Sequence, residues 1–195
     1  AQMQDLRRAD VRFVDFTGGE PTLAREFVPR VAAAAKAAGM VTGIVTAAHW
    51  ATSESGAART LEQFAAVDRW DISTDVYHLP FVGLDRVARA FDALSEAGKQ
   101  PLVRIAHHEP LGVEDAKLID SVHRFAGRRI AFQPIGPVGR GKLVAVSIGA
   151  SERDYERSPC PTTGLLIRAD GAGAACCAPL SHEPRTHPLW YGNAM

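Results

Sequence analysis

The chain has 195 residues, and its 22 Lys and Arg residues balance its 22 Asp and Glu residues, so the formal net charge is zero. A zero balance provides no long-range attraction to nucleic acid or to anionic membranes, and no apolar run approaches the roughly 20 residues of a membrane helix. Hydrophobic residues make up 46% of the chain, and the first residues lack a basic-then-apolar signal pattern. We therefore expect a globular, cytoplasmic protein without nucleic-acid or membrane partners.

Short apolar and β-branched runs recur along the first two-thirds of the chain, and their ends lie roughly 30 residues apart, about one strand plus one crossover helix. The predicted strands are residues 11–16, 41–46, 71–74, 101–105 and 129–133. One helical pattern has Pro21 in its first turn and stops at Gly39, and two others cover residues 84–94 and 113–125. This alternation predicts an α/β fold with a parallel sheet, either open or curled into part of a barrel, and with helices outside it.

The pattern changes after Pro137. Residues 138–142 form a Gly-rich turn, residues 143–148 are a further predicted strand, and residues 151–161 are charged and interrupted by proline. Further on, Asp170 and Gly171 separate two apolar runs and predict a hairpin. We therefore predict two parts: a (βα) core over residues 1–149 and a small, loop-rich C-terminal extension over residues 150–195.

Polar residues directly after the strands are the candidates for a binding site, because ligands in parallel α/β folds bind at the carboxyl ends of the strands. After the first strand comes the segment Thr17-Gly18-Gly19-Glu20-Pro21. Paired glycines adopt backbone conformations closed to other residues and let a ligand approach the main chain. Main-chain groups there suit the ammonium or carboxylate of an amino acid, and Glu20 adds a charge that suits an ammonium. The alternative is an ordinary turn leading into a helix.

Residues 16–23, Phe-Thr-Gly-Gly-Glu-Pro-Thr-Leu, closely resemble the Gly-Gly-Glu-Pro motif of radical S-adenosylmethionine (radical SAM) enzymes. In that family the motif binds the methionine amino group of the cofactor. Two later segments resemble the family in the same order. Residues 71–75 are similar to a Ser-x-Asp strand end that contacts the ribose or methionine moiety, and residues 132–140 are similar to a strand and turn near the adenine. The resemblance covers roughly residues 5–145 and implies the cofactor-binding part of a (βα) barrel.

The resemblance implies that residues at the strand ends bind S-adenosylmethionine. These cofactor-binding candidates are Gly18, Gly19, Glu20, Pro21, Thr46, Ser73, Asp75, Arg104, Gln133 and Ile135. In the family, a reduced 4Fe–4S cluster donates an electron to the bound cofactor, and a 5′-deoxyadenosyl radical then abstracts a substrate hydrogen. The implied function is radical modification of a substrate, which we expect to be a peptide or protein, with a reductant protein as a further partner. We assign no catalytic residue, because each histidine at a strand end could simply be a surface residue.

The chain contains three cysteines, Cys160, Cys176 and Cys177. An odd, clustered set without a signal peptide favours metal binding or free thiols over a disulfide framework. The segment from Cys160 to Cys176 is similar to the opening of the SPASM and twitch extensions. The resemblance therefore implies an auxiliary iron–sulfur cluster at these cysteines, and such extensions are common in enzymes that modify peptides.

The chain also departs from the family pattern. The Cys-x3-Cys-x2-Cys motif that holds the radical SAM cluster is absent, since none of the 17 residues before Gly18 is a cysteine. Where the family often has Thr-Asn-Gly, this chain has Thr46-Ala47-Ala48, and the extension ends before its remaining ligands. We therefore expect a fragment, a barrel that lacks its first strand and whose cluster ligands lie outside this chain.

Other functions stay open. Thiolate and imidazole ligands for a zinc-binding module are offered by Cys160, Cys176, Cys177, His182 and His187. Stoichiometric zinc without iron or sulfide would favour that module. The other alternative is an α/β barrel fragment without catalytic function, or a phosphate-sugar enzyme on such a barrel, although the sequence has no clear phosphate-binding loop.

Overall fold

The computed structural model describes residues 2–135, 165–168, 171–174 and, by their backbone, 190–193. Strands and helices alternate along its first part. Their bounds are α1 (Gln2–Arg8), β1 (Phe13–Phe16), a short 3-10 helix (Pro21–Leu23), α2 (Phe27–Ala37), β2 (Val41–Thr46), α3 (Glu54–Gln63), β3 (Arg69–Thr74), α4 (Leu84–Glu96), β4 (Gln100–His107), α5 (Val113–Ala126), β5 (Ile130–Pro134), β6 (Leu166–Ile167), β7 (Ala172–Ala174) and β8 (Trp190–Asn193).

Strands β1 to β5 form one parallel sheet in the order β1-β2-β3-β4-β5. The five strands expected from the apolar runs are therefore confirmed, as is the α/β fold with a parallel sheet. Because all five strands run parallel, their carboxyl ends meet at one edge of the sheet, which we call the carboxyl edge. The loops after β1, β2, β3 and β4 all leave the sheet there.

The helices differ from expectation in two places. Pro21 begins a 3-10 helix, and α2 starts only at Phe27, because the side chain of Glu20 caps the short helix by accepting a hydrogen bond from Thr22 N. Helix α3 was not expected at all. Ala57 is its only buried residue, so the segment lacks the apolar stripe that marks an amphipathic helix.

One side of the sheet, which we call the apolar face, forms the core with the helices. Its strand residues in the core are Ile44, Trp70, Ile72, Val103 and Ile105, and they pack with buried residues of α2 to α5. The other side, which we call the polar face, consists of the alternate residues, because successive side chains of a strand point to opposite faces. The polar face carries Asp15, Asp71, Ser73, Arg104 and Gln133, and none of them belongs to the described core.

The chain divides into two compact units, of which the first ends at Pro134 and the second begins at Ile135. In the second unit, β6 and β7 form an antiparallel hairpin around Gly171, as the sequence predicts, and β8 pairs with β7. The expected boundary after residue 149 and the expected strand at 143–148 fall outside the described residues and stay predictions. Among the described residues, every helix is too short or too polar to cross a membrane.

Candidate functional site

The Gly18-Gly19 turn stands at the carboxyl end of β1. Both glycines have positive φ angles, 79° and 37°, a region that residues with a side chain rarely adopt. A methyl group placed on either residue would meet no other atom within 4 Å. The main chain of this turn is therefore bare on the side where a side chain would stand, and a ligand is free to approach it there.

Glu20 ties this turn to the neighbouring strand. Its Oε1 accepts hydrogen bonds from the hydroxyls of Thr22 at 2.6 Å and Thr46 at 2.9 Å, and its Oε2 accepts one from Ala47 N at 2.8 Å. The side chain is 14% exposed. Since Thr46 and Ala47 belong to the end of β2, the carboxylate holds the first two loops of the carboxyl edge together.

The same contacts set the charge state of Glu20. Burial alone would raise its pKa, but the hydrogen bonds from Thr22, Ala47 and Thr46 outweigh burial and hold the pKa of Glu20 below its usual value. A carboxylate that accepts several hydrogen bonds stays ionised. His49 Nδ1 lies 3.5 Å from Glu20 Oε2 and makes no hydrogen bond within the described part of the chain. The turn therefore keeps its negative charge at neutral pH.

Thr46 and Pro21 are buried parts of the same arrangement. The hydroxyl of Thr46 donates to Glu20 and accepts hydrogen bonds from Ala48 N at 3.2 Å and Trp50 Nε1 at 3.0 Å. Only 2% of Thr46 is exposed, and Pro21 is buried in the first turn of the short helix. A hydroxyl with its donor and acceptor capacity in use positions Glu20 and has little left to offer a ligand.

Asp75 orders the loop that follows β3. Its Oδ1 accepts hydrogen bonds from Tyr77 N and His78 N, both at 2.8 Å, and its Oδ2 lies 2.6 Å from His78 Nδ1. Burial alone would raise the pKa of Asp75, but the contacts with His78 and Tyr77 outweigh it and hold the pKa below its usual value. The carboxylate is thus ionised and committed to its own turn.

The polar face adds an ion pair and one buried carboxylate oxygen without a hydrogen-bond partner among the described residues. Arg104 Nε donates to Asp71 Oδ2 at 2.9 Å, and Ser73 lies beside Arg104 in the β3–β4 ladder. Asp71 Oδ1 is buried without a hydrogen-bond partner among the described residues. Burial and the nearby Asp71 raise the pKa of Asp15, although Arg69 opposes this shift. Carboxylates and arginines on this face therefore form a charged surface.

In the structure, all but one of the expected binding residues fall into three groups. The first group lies where β1 and β2 end and consists of Gly18, Gly19, Glu20, Pro21 and Thr46. Asp75 follows β3. The polar face carries Ser73, Arg104 and Gln133. Ile135 belongs to the second compact unit.

The cysteines that we expect to bind a metal ion or an iron–sulfur cluster lie in the part of the chain that the structure does not describe. Cys160, Cys176 and Cys177 lie outside the described residues, as do His182 and His187 of the zinc alternative. Within residues 2–135, 165–168 and 171–174, no group of three or more potential ligands is placed to hold a metal ion.

One group of polar residues was missed at the sequence level. Tyr77, His108 and Asp115 form a hydrogen-bonded chain across the loops after β3 and β4. The only signal available was the position of Tyr77 and His108 shortly after two strands. Nothing in the spacing of the three residues indicates that they meet.

Solved structures show where the fold occurs elsewhere. Native anSMEcpe with bound AdoMet (S-adenosylmethionine) matches with a TM-score of 0.61 and 15% identity, over 98% of this chain and 66% of that one. Native anSMEcpe with bound AdoMet and Kp18Cys peptide matches with a TM-score of 0.57 and 15% identity, over 93% and 64%. No protein-family model and no curated protein sequence matches this chain. The chain thus has the α/β fold of these structures and spans less than two thirds of their length.

Proposed function

We propose that this chain forms the cofactor cradle of a radical SAM enzyme and binds S-adenosylmethionine at the carboxyl edge of its sheet. The observation that carries the proposal is the Gly18-Gly19 turn, with two successive positive φ angles and free space above both residues. The turn stands at the carboxyl end of a parallel strand, which is where α/β folds bind ligands. The fold likeness to anSMEcpe with bound AdoMet supports the same conclusion.

The residues present fit the polar parts of this cofactor. The main-chain groups of Gly18 and Gly19 are accessible to the amino and carboxylate groups of its methionine moiety. Glu20 keeps a negative charge next to the turn, which favours an ammonium there. The polar face carries Arg104, Ser73 and Gln133, which offer hydrogen bonds to the other polar groups of S-adenosylmethionine.

The hydrogen bonds refine the roles of three candidates. Glu20, Thr46 and Asp75 are engaged in loop contacts, so we assign them to positioning the turn and the β3 loop. Direct contact with the cofactor is assigned to Gly18, Gly19 and the polar-face residues. Under this division, the bare main chain of the glycine turn contacts the cofactor, and the polar residues after β2 and β3 order the loops around it.

The division of the sheet into two faces supports a partial barrel. Helices α2 to α5 supply the core on the apolar face, and the charged residues of the strands gather on the other. In a (βα) barrel the helices form an outer ring and the strands enclose the interior. We therefore propose that the polar face is the inner wall of a partial barrel and contacts cofactor and substrate.

Bound S-adenosylmethionine supplies the radical chemistry in the family that the chain resembles, and the protein binds it, orients it and excludes water. Residues 2–135 contain no cysteine and hence no thiolate ligand for an iron–sulfur cluster. The role proposed for this part of the chain is therefore limited to the cradle. An auxiliary cluster at Cys160, Cys176 and Cys177, and a reductant protein as partner, stay predictions. A peptide substrate is supported by the Kp18Cys peptide in the anSMEcpe structure.

Calorimetric titration of this chain with S-adenosylmethionine tests the proposal, using Gly18→Ala and a matched control, Gly98→Ala. Gly98 also has a positive φ angle, 71°, and free space around it, but it follows α4, before β4 begins. Both substitutions introduce the same backbone strain, of about 1 kcal/mol. Only Gly18→Ala adds a methyl group where the cofactor is expected.

We expect Gly18→Ala to weaken cofactor binding at least about tenfold, a change of about 1.4 kcal/mol, and Gly98→Ala to leave binding unchanged. Equal affinity in both variants would contradict the assignment of the turn. A folded wild-type chain that binds no S-adenosylmethionine would contradict the proposed function for this chain.

A further inference from the structure

A second polar site lies at the carboxyl edge, between the loops that follow β3 and β4. It consists of Tyr77, His108 and Asp115, which we call the Tyr–His–Asp chain. Tyr77 Oη lies 2.7 Å from His108 Nε2, and His108 Nδ1 lies 2.7 Å from Asp115 Oδ2. The Tyr–His–Asp chain thus runs from a surface phenol through an imidazole to a buried carboxylate.

Asp115 is the buried end of this chain. Only 1% of it is exposed, and its Oδ2 accepts hydrogen bonds from His108 Nδ1 and from Gly112 N at 2.9 Å. Its Oδ1 is buried and has no hydrogen-bond partner among the described residues. A buried carboxylate is costly unless a positive charge or hydrogen-bond donors accompany it. Asp115 therefore depends on the hydrogen-bond donors that reach it, which are His108 Nδ1 and Gly112 N.

The hydrogen bonds assign the proton positions. A carboxylate oxygen only accepts, so His108 Nδ1 carries the proton between His108 and Asp115. In the neutral ring His108 Nε2 is then the acceptor, and the hydroxyl of Tyr77 donates to it. This is the arrangement in which an acidic residue fixes the tautomer of a histidine and leaves the far nitrogen free to take a proton.

Tyr77 is the accessible end. It is 47% exposed, and its ring meets that of His108 edge to face, with centroids 5.6 Å apart. With its proton directed at His108, the phenolic oxygen still has lone-pair capacity for a ligand. We infer that Tyr77 is an acid–base group for a substrate O–H or S–H, and that His108 and Asp115 position it and hold its proton.

The proton transfer conserves atoms and charge. The substrate O–H or S–H gives its proton to Tyr77 Oη, and the phenolic proton of Tyr77 passes to His108 Nε2. The substrate becomes an anion, the imidazole becomes a cation paired with Asp115, and Tyr77 is unchanged. The reverse sequence protonates a product anion. The inference goes beyond the proposed function, since neither S-adenosylmethionine nor a metal takes part.

The competing explanation is structural, because the contact of Asp115 with Gly112 also caps the start of α5. Acylation of Tyr77 by N-acetylimidazole distinguishes the two, since it requires the phenolic oxygen to lose its proton as it attacks. Mass spectrometry of peptides gives the rate at Tyr77 separately from those at Tyr155 and Tyr191. N-acetyltyrosinamide is the reference for a tyrosine without a neighbouring base.

We expect Tyr77 to react about tenfold faster than the reference, a modest share of the 100-fold or more that a positioned base contributes in an enzyme. His108→Asn retains a donor for Asp115 and removes the base, and should reduce the rate to that of the reference. His123→Asn is the matched control and should not change it, because His123 is an exposed residue of α5 more than two helical turns away from Asp115. A wild-type rate equal to the reference, or an unchanged rate in His108→Asn, would overturn the inference.

Nitrogen NMR of His108 is the second measurement. We expect the neutral ring to carry its proton on Nδ1 in the wild type and to lose this preference in Asp115→Asn. A proton on Nε2 in the wild type would contradict the assigned direction of transfer. Neither measurement involves S-adenosylmethionine, so failure of this inference and failure of the proposed cofactor site are separate results.

Discussion

The two faces of the parallel sheet are built from the same five strands and differ in almost every property. On the apolar face, Trp70 is 2% exposed and packs edge to face against Trp50 and Phe64, with centroids 5.6 and 6.2 Å apart. On the polar face, the next residue along the strand, Asp71, pairs with Arg104. Alternation along a strand thus places the buried core and the charged side chains on opposite sides of one element.

The contrast between the two faces predicts which substitutions should change stability and which should change binding. Changes on the apolar face should lower the free energy of unfolding, because they remove buried contacts. Changes on the polar face should affect binding and leave folding nearly intact. Trp70→Ala, with the largest expected effect, and a double-mutant analysis of Arg104 and Asp71, with the smallest, test this contrast. Between them stands Glu20→Gln, which tests the loop after β1.

Trp70→Ala should destabilise the chain by about 3–5 kcal/mol, because it leaves a cavity among Trp50, Phe64 and the helices. Urea unfolding followed by circular dichroism measures the change. Leu102→Ala is the matched control. Leu102 lies on the polar face, beside Asp71 in the β3–β4 ladder, and is not part of the core. A loss from Leu102→Ala as large as that from Trp70→Ala would show that the two faces are not energetically distinct.

Glu20→Gln should destabilise the chain at neutral pH by about 1–3 kcal/mol, because Gln lacks the charge that strengthens hydrogen bonds from Thr22, Thr46 and Ala47. The pKa of Glu20 is lowered in the folded state, so its contribution is complete above the unfolded value of about 4.3 and disappears as the pH falls through the lower folded value. Unfolding in urea at several pH values should therefore show the difference shrinking in acid.

Glu26→Gln is the control for this measurement. Glu26 is exposed, and its side chain makes no capping hydrogen bond at the start of α2. Its substitution should change stability little at any pH. A difference between Glu20→Gln and the wild type that grows as the pH falls would contradict the charge state assigned to Glu20.

The smallest effect is expected for the ion pair on the polar face. Double-mutant analysis with Arg104→Gln and Asp71→Asn should give a coupling free energy below about 1 kcal/mol, because the pair is partly solvated and salt screens it. Stability measured at low and high salt checks the value. A coupling above about 3 kcal/mol would assign the pair to the folding core and would remove the distinction between the faces.

The sheet was predictable because its strands are apolar, β-branched and separated by regular intervals. Helix α3 was not, because one buried alanine leaves no stripe to detect, and the late start of α2 depends on a side-chain cap by Glu20. Local patterns report burial along one element. They do not report which side chain closes a turn or caps a short helix.

The place of the glycine turn at the end of β1 was predictable, and the contacts of the residues around it were less so. The glycine turn is recognisable because consecutive glycines mark unusual backbone angles. The sequence does not show that Thr46 and Asp75 are engaged in loop hydrogen bonds, because it does not identify their partners, Glu20 and His78. The Tyr–His–Asp chain depends on two loops meeting, and such contacts arise only after the strands have paired.

The order β1-β2-β3-β4-β5 has a consequence for how the sheet is assembled. Each of the strands β2 to β5 pairs with the strand that precedes it in the chain. Each pairing therefore closes a loop of about 30 residues, and none of these strands depends on a partner further along the chain. The contact order is therefore lower than in a parallel sheet whose neighbouring strands are far apart in the chain, and a lower contact order favours faster folding. The sheet is therefore suited to growing strand by strand as the chain leaves the ribosome, each helix sealing the apolar side of the strand before it.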